Sequence, residues 1–277
     1  MNRIEGRYIS LLTDFGFMRI FGTKPNKDLL INFLNSLFEG FQVIKDVKYL
    51  NSEHVGDVFA ERKPIFDVCC ENEKGEKFIV EMQNASIFPI REQAPKGADW
   101  NFKLDHVYIV ALLNFDMSEE SFDKDDINHD VGLLDKKTHK VFNDKLSFKY
   151  VEIAKFDKTE DELVTLYDKW LYVLKNLSRL DERPAALKEK IFSKLFEEAE
   201  IAKFTPTELK EYEDSLKAYR DIKNSIDTAL EKGREEGRAE SKNLKVIQIA
   251  KKMLAAGMDI DTIINMTDLS KSEIEKL

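Results

Sequence analysis

Three polar side chains, Asp67, Glu81 and Gln83, interrupt two apolar segments that are otherwise typical of buried β-strands. Asp67 lies within PIFDVCC at 64–70, and the other two lie within KFIVEMQ at 77–83. A carboxylate in such a strand is unfavourable unless it is paired, solvated or bound to a cation. Because Glu81 and Gln83 are two residues apart, they point to the same face of a strand.

The spacing between Asp67 and Glu81 allows two strands joined by a tight turn. It therefore predicts a β-hairpin that brings Asp67 beside Glu81. The turn is predicted at NEKG, residues 72–75. Two carboxylates and an amide on one patch offer the oxygen ligands that Mg²⁺ takes in proteins. A bound ion of this kind activates water and stabilises charge on a phosphate. The spacing is short and common, however, and it is equally compatible with carboxylates on a solvated sheet face, so both interpretations stay open on these residues alone.

The segments around the hairpin predict a sheet with helices packed against it. Apolar residues recur at helical spacing between Pro25 and Gly40, which predicts a helix there. A shorter helix is predicted near 11–22, with Thr13 or Asp14 as its cap. The order of elements predicts an α/β fold with a mixed sheet. The predicted strands cover 43–49, 64–70, 77–83, 106–115, 130–134 and 146–153, with a polar surface loop at 116–130.

After Phe156 the apolar spacing is helical throughout, which predicts an all-helical C-terminal region. One amphipathic face is predicted at 163–174. Pro184 and Pro206 each stand where a new helix would begin, and Thr205 is suited to cap the second of these helices.

The segment EKGREEGRAE at 231–240 lacks large apolar residues, which predicts a flexible or solvated helical connector. Beyond it we expect a helix that ends at Gly257 and short helices at 260–266 and 270–277. This tail has the turn glycine of a DNA-reading helix-turn-helix. Its last helix has few basic residues, so packing or homo-oligomerisation through the helical half is an equal alternative. The predicted domains are 1–158, 159–232 and 233–277.

The composition of the chain excludes fewer classes of function than the polar residues of the hairpin do. The 277 residues carry 43 basic and 52 acidic side chains, a net charge of −9, which disfavours strong non-specific DNA binding. No apolar run is long enough to span a bilayer, and no secretory signal is visible. The adjacent Cys69 and Cys70 indicate a reducing compartment, so a cytoplasmic location is predicted. The histidines lack metal-ligand spacing and are predicted to lie at the surface or at strand ends: His54, His106, His129 and His139.

A series of longer motifs resembles the PD-(D/E)XK nuclease family transposases, the Rpn-type recombination-promoting nucleases. The resemblance covers most of the chain and keeps the family's order. Its motifs are TDFGFMRIFG at 13–22, NKDLLINFLN at 26–35, PIFDVCC, GEKFIVEMQ, DWNFKLDHVYIVALLNF at 99–115, YVEIAKF at 150–156, EEGRAE at 235–240 and TDLSKSEIEKL at 267–277.

This resemblance implies a restriction-endonuclease-like mixed sheet and a Mg²⁺-dependent DNA endonuclease, with Mn²⁺ as a substitute ion, linked to recombination or mobile DNA. It implies that Asp67, Glu81 and the backbone carbonyl of Met82 bind the metal and that Gln83 orients the attacking water. Gln83 stands where the wider superfamily has lysine, and an amide cannot accept a proton at neutral pH. Asp14 is a weaker candidate for the same site, because a capping role at the start of the first helix explains it better.

One departure from the family pattern concerns the segment after Gln83. NASIFPIREQAPKGADW at 84–100 retains Arg91 and Gln93 but lacks the Arg- and Tyr-bearing helical portion that relatives have there. Its prolines also disfavour a long helix. The alternative function is therefore a catalytically degenerate relative that acts as a DNA- or protein-binding module, and a scaffold acting through residues 160–277 is a third.

Overall fold

A mixed six-stranded sheet lies at the centre of the larger part of the chain. The computed structural model describes residues 6–50, 68–82, 105–117 and 125–277. The strands are β1 (Val47–Tyr49), β2 (Val68–Asn72), β3 (Lys77–Met82), β4 (Val107–Leu113), β5 (Asn128–Leu134) and β6 (Val141–Glu152). The α-helices are α1 (Asp14–Phe21), α2 (Lys27–Leu37), α3 (Leu166–Asn176), α4 (Lys190–Glu198), α5 (Pro206–Ala255), α6 (Ile260–Thr267) and α7 (Lys271–Ile274).

The strand order across the sheet is β1-β2-β3-β4-β6-β5. β3, β4 and β6 run parallel, and β1, β2 and β5 pair antiparallel with their neighbours. Every residue of β4 is buried, as its uninterrupted apolar sequence predicts for a central strand. The mixed sheet with flanking helices confirms the predicted restriction-endonuclease-like fold class.

The two faces of the sheet bury different sets of side chains. One face carries Phe78 and Tyr108, whose stacked rings have centroids 5.0 Å apart. Phe38, at the end of α2, packs edge-on against both rings. The opposite face carries Ile79 and Ile109, which are direct neighbours in the β3–β4 register. Residues at alternate positions along each strand therefore belong to separate cores.

Aromatic rings join the helices that pack near the first of these faces. Phe21 on α1 lies 5.3 Å from Phe33 on α2, and both rings lie 5.6 Å from the Trp170 ring on α3. Phe192 on α4 completes the cluster at 5.1 Å from Trp170. Aromatic pairs at these separations add to the energy of burial alone. Trp170 is fully buried at the centre of this cluster.

Several sequence-based expectations about element starts are wrong. β1 begins at Val47 rather than at 43, and β6 begins at Val141 rather than at 146. Pro184 does not begin a helix, because its carbonyl accepts the Leu187 amide in a single turn. The backbone is extended again at Glu189, the N-cap position of α4. The buried Leu187 explains this turn, because it is fixed by tertiary packing rather than by local propensity. β5 begins at Asn128, inside the segment predicted to be a surface loop.

The chain divides into two compact units, Met1–Lys217 and Ala218–Leu277, and α5 runs across the division. The glycines of the predicted connector lie inside this helix, so the solvated helical form of that prediction is confirmed. In the second unit Ala250, Ile263, Leu269 and Ile274 form a small core among α5, α6 and α7. None of the described helices combines the length and apolar character that crossing a membrane requires.

Candidate functional site

The β2–β3 hairpin positions Glu81, the described member of the predicted site. Its turn is fixed by Asn72, whose side-chain oxygen accepts the backbone amides of Lys74 and Glu76 at 3.0 Å. Gly75 adopts a positive φ of 82° in that turn, a conformation that glycine adopts without strain. The antiparallel register then runs to Val68 opposite Val80.

Glu81 is the next residue of β3, and it is only 1% exposed. It lies on the same sheet face as Ile79, because the two are separated by one residue of a strand. The prediction of a carboxylate inside an apolar strand is confirmed. The alternative of a solvated sheet face does not hold for this side chain.

The partners predicted for Glu81 lie outside the described residues. Asp67 precedes Val68 in the chain and Gln83 follows Met82, and the structure describes neither. The backbone of Met82 is described as the last residue of β3, where it pairs with Leu112 of β4. Asp14 is exposed in the first turn of α1, which the Thr13 side chain caps by accepting the Gly16 amide.

A row of side chains crosses the sheet at the level of Glu81. In the ladder Glu81 pairs with Ala111, Ala111 pairs with Tyr150, and Tyr150 pairs with His129. Paired residues share a face, so the carboxylate, the phenol and the imidazole lie on one side of the sheet. The small side chain of Ala111, which is itself buried, lies between the carboxylate and the phenol in this row. Sequence reasoning missed Tyr150, because no local pattern reveals pairing between distant strands.

Glu152 forms a second buried carboxylate on this face, at the end of β6. Its oxygens lie 2.7 Å from His129 Nε2 and 2.8 Å from Lys155 Nζ, and they accept the Met117 amide at 2.7 Å. The hydrogen bond from Lys155 to Glu152 raises the pKa of that lysine and keeps it cationic. Glu81 and Glu152 thus lie near the carboxyl ends of two parallel strands. The signal that marks Glu81, a carboxylate in an apolar segment, also marks Glu152.

The remaining candidates have ordinary structural environments. His129 is buried, so the surface part of its prediction is wrong, although it lies near the start of β5 as the strand-end part expected. His106 stacks on Tyr108 and lies 2.9 Å from the Ser147 hydroxyl. Burial raises the pKa of the Cys70 thiol, which leaves it unreactive. Over the described ranges, no three His, Cys, Asp or Glu side chains converge as a metal site.

The comparisons with known proteins agree with this architecture. The family model described as PD-(D/E)XK nuclease family transposase matches residues 11–229. A second model, described as the C-terminal HTH domain of the Rpn/YhgA-like nuclease family, matches residues 243–277. No curated protein and no solved structure matched the chain. The first match covers well over half of the sequence and contains the whole sheet, and the chain therefore belongs to the PD-(D/E)XK nuclease family transposases.

Proposed function

We propose that this chain is a divalent-metal-dependent DNA endonuclease that acts in recombination or on mobile DNA. The observation that carries the proposal is the burial of Glu81 in β3 of a nuclease-family fold. Burying a carboxylate costs free energy unless a partner or a cation compensates for it. A buried carboxylate at this position of such a fold is a candidate for a functional group.

The proposed metal ligands are the carboxylates of Asp67 and Glu81 and the backbone carbonyl of Met82. The described register of the hairpin ends at the Val68–Val80 pair. In the sequence Asp67 directly precedes Val68 and Glu81 directly follows Val80, and a shared ion between the two carboxylates is part of this proposal. All three donors are oxygen atoms, a set that fits Mg²⁺, with Mn²⁺ as a substitute. A bound divalent cation supplies an activated water and stabilises charge on the phosphate.

Gln83 has a positioning role in this proposal. Its amide donates and accepts hydrogen bonds but does not take up a proton at neutral pH. We therefore expect it to orient the attacking water while another group removes the proton. The DNA phosphate approaches the side of the sheet that carries Glu81 and Tyr150.

Cleavage of supercoiled plasmid tests the assignment of Glu81 directly. Purified full-length protein should nick DNA with Mg²⁺ or Mn²⁺ and lose this activity in EDTA. Glu81→Gln keeps the shape of the side chain but removes its charge, and we expect at least a hundredfold loss, on the order of the effect of a lost transition-state contact. Asp67→Asn should have a comparable effect.

The matched control is Glu71→Gln on the neighbouring strand β2. Glu71 pairs with Lys77 at the other end of the same hairpin, so its substitution changes the charge of the hairpin equally without reaching the proposed ligands. It should retain nearly full activity. Equal cleavage by wild type, Glu81→Gln and Asp67→Asn would refute the site.

A second candidate function is DNA binding without cleavage. It is favoured by the match of residues 243–277 to an HTH domain, since that region binds DNA independently of the hairpin in this proposal. The shortened segment 84–100, which lies outside the described residues, favours the same alternative. Binding of labelled duplex together with absence of nicking under every metal condition would support it.

Two further expectations stay predictions. Homo-oligomerisation through the helical half is tested by light scattering of the full-length protein. The mass of a monomer at micromolar concentration would contradict this prediction. Fractionation of cells that express the protein tests the cytoplasmic location.

A further inference from the structure

The hairpin formed by β5 and β6 extends beyond the rest of the sheet. β4 begins at Val107, which pairs with Leu146 of β6, so β6 residues before Leu146 pair with β5 alone among the described strands. We call residues 132–145 the β5–β6 arm. β5 is also the edge strand of the sheet, which leaves this ribbon open to solvent on its outer side.

The arm is cationic although the chain as a whole is acidic. It carries four lysines against two aspartates, a net charge of +2, whereas the chain carries −9. Asp135 is engaged in the turn, where its carboxylate accepts the amide and the hydroxyl of Thr138 at 2.6 Å. Within the described part of the chain, none of these lysine ammonium groups forms an ion pair. The four lysines, all exposed, are Lys136, Lys137, Lys140 and Lys145.

The arm also exposes large apolar side chains beside these lysines. Leu134 is 57% exposed, Val141 65% and Phe142 78%. The register of the two strands shifts at this point, from Leu133 opposite Asn143 to Leu134 opposite Val141, which leaves Phe142 as an extra residue. A β-bulge of this kind redirects a side chain. Phe142 is thereby held away from the protein on a hydrogen-bonded ribbon.

We propose that the β5–β6 arm binds DNA, with its lysines on backbone phosphates and Phe142 against the bases or sugars of a groove. The proposal rests on the proposed function for the identity of the polyanion. Charge complementarity favours DNA over a protein partner, because the cationic arm belongs to an otherwise acidic chain. The major groove admits a two-stranded ribbon, and an apolar side chain such as that of Phe contacts the thymine methyl group there.

The arm is remote from the candidate cleavage centre. Tyr150, which shares a row with Glu81, and Val141 are separated by about 30 Å along β6, at roughly 3.3 Å per residue. One helical turn of B-DNA spans about 34 Å. A duplex cut near Glu81 would therefore contact the arm roughly one turn away, and the arm should control affinity rather than the chemical step.

Equilibrium binding of full-length protein to a fluorescent duplex in EDTA tests this proposal without cleavage. Replacing Lys136, Lys137 and Lys140 together by alanine should weaken binding at least tenfold at low salt. The slope of log K against log salt should become less steep by about 3, since each phosphate contact contributes roughly 0.9. Phe142→Ala should weaken binding roughly tenfold at every salt concentration, because an apolar contact with base edges does not depend on counterion release.

The matched control replaces three exposed lysines elsewhere in the same unit, Lys188, Lys190 and Lys210, by alanine. It changes the net charge equally, so an equal loss of affinity in both triple variants would overturn the proposal. Unchanged affinity in the arm triple variant and in Phe142→Ala would also overturn it. If Phe142→Ala converts a dimer to a monomer in light scattering but leaves DNA affinity intact, the arm is a protein interface and the proposal is wrong.

The outcomes separate this inference from the proposed function. Arm-dependent binding by a protein that never cleaves DNA would support the arm and refute the endonuclease. Metal-dependent cleavage with arm-independent binding would do the reverse. Because the substituted side chains are exposed, urea unfolding midpoints should match the wild type; if the triple variant unfolds, Phe142→Ala alone decides the test.

Discussion

Gly16 lies in the first turn of α1, where the chain passes close to its own preceding loop. A Cβ atom at this position would lie 2.1 Å from the Ser10 carbonyl oxygen and 3.0 Å from Thr13 Oγ1. The Thr13 hydroxyl in turn donates to that same carbonyl. A glycine is therefore required at position 16 of the motif TDFGF, because the backbone approaches closely there. Asp14 in the same motif is exposed at a capped helix start.

At the scale of single residues, we predict that Gly16→Ala lowers the free energy of unfolding by about 2 kcal/mol, as overpacking typically does. The neighbouring atom is a backbone oxygen that side-chain rotation cannot move. Urea denaturation followed by tryptophan fluorescence measures the change. Gly132→Ala is the control, because a Cβ there meets no atom within 4 Å. Similar unfolding midpoints for the two variants would contradict this account of Gly16.

At the scale of elements, the first turns of α5 bind to α1 and to the segment that precedes α1. Ser10 donates its amide to the Tyr212 hydroxyl at 3.0 Å, and Arg19 lies 2.6 Å from Glu208. Glu208 also accepts the amide and the hydroxyl of Thr205, which caps the helix. The hydrogen bonds from Thr205, followed by that from Arg19, lower the pKa of Glu208 to about 2. The sequence predicted the cap at Thr205, but it did not predict the partner on α1.

This pKa predicts a pH-dependent contribution to stability from Glu208. Since the pKa is depressed in the folded state, the contribution is present above the unfolded value of about 4.3. It is lost as the pH falls from there through about 2. Glu208→Gln should therefore lower the urea midpoint at neutral pH, and its difference from wild type should shrink over that window. Glu211→Gln, an exposed change on the same helix, is the control, and a difference that stays constant with pH would contradict the prediction.

At the scale of the whole molecule, the division into two compact units has a spectroscopic consequence. Both tryptophans, Trp100 and Trp170, fall within Met1–Lys217, whereas Ala218–Leu277 contains none. Tryptophan fluorescence therefore reports on one unit alone. Circular dichroism reports on the helices of both units, including α5, α6 and α7.

We predict that Ile263→Ala weakens only the second unit. Ile263 is fully buried in its small core, and removing such a side chain costs about 2–5 kcal/mol. The helical signal should be lost in part at lower urea concentration, while the fluorescence midpoint stays at its wild-type value. Met266→Ala, an exposed change on the same helix, is the control. A parallel shift of both signals would show that the two units unfold together.

The sequence by itself determined the elements around the candidate site and much of its chemistry. Local patterns predicted the β2–β3 hairpin, the buried β4 and the capped starts of α1 and α5, because each depends on neighbours in the chain. The apolar residues around Glu81 predicted its position inside a strand for the same reason, but they left open whether it faces solvent. The metal set that includes Asp67 and Gln83 stays a prediction, since both lie outside the described residues.

The tertiary structure alone decided which distant residues share a face with Glu81. Tyr150 and Glu152 come from β6, and their placement follows from a parallel register that no local pattern encodes. The turn at Pro184 differs from its prediction for a related reason, since burial of Leu187 overrides the helix-starting preference of proline. Local propensities involve interactions within a few residues, whereas register and burial depend on contacts between segments that the chain brings together only when it folds.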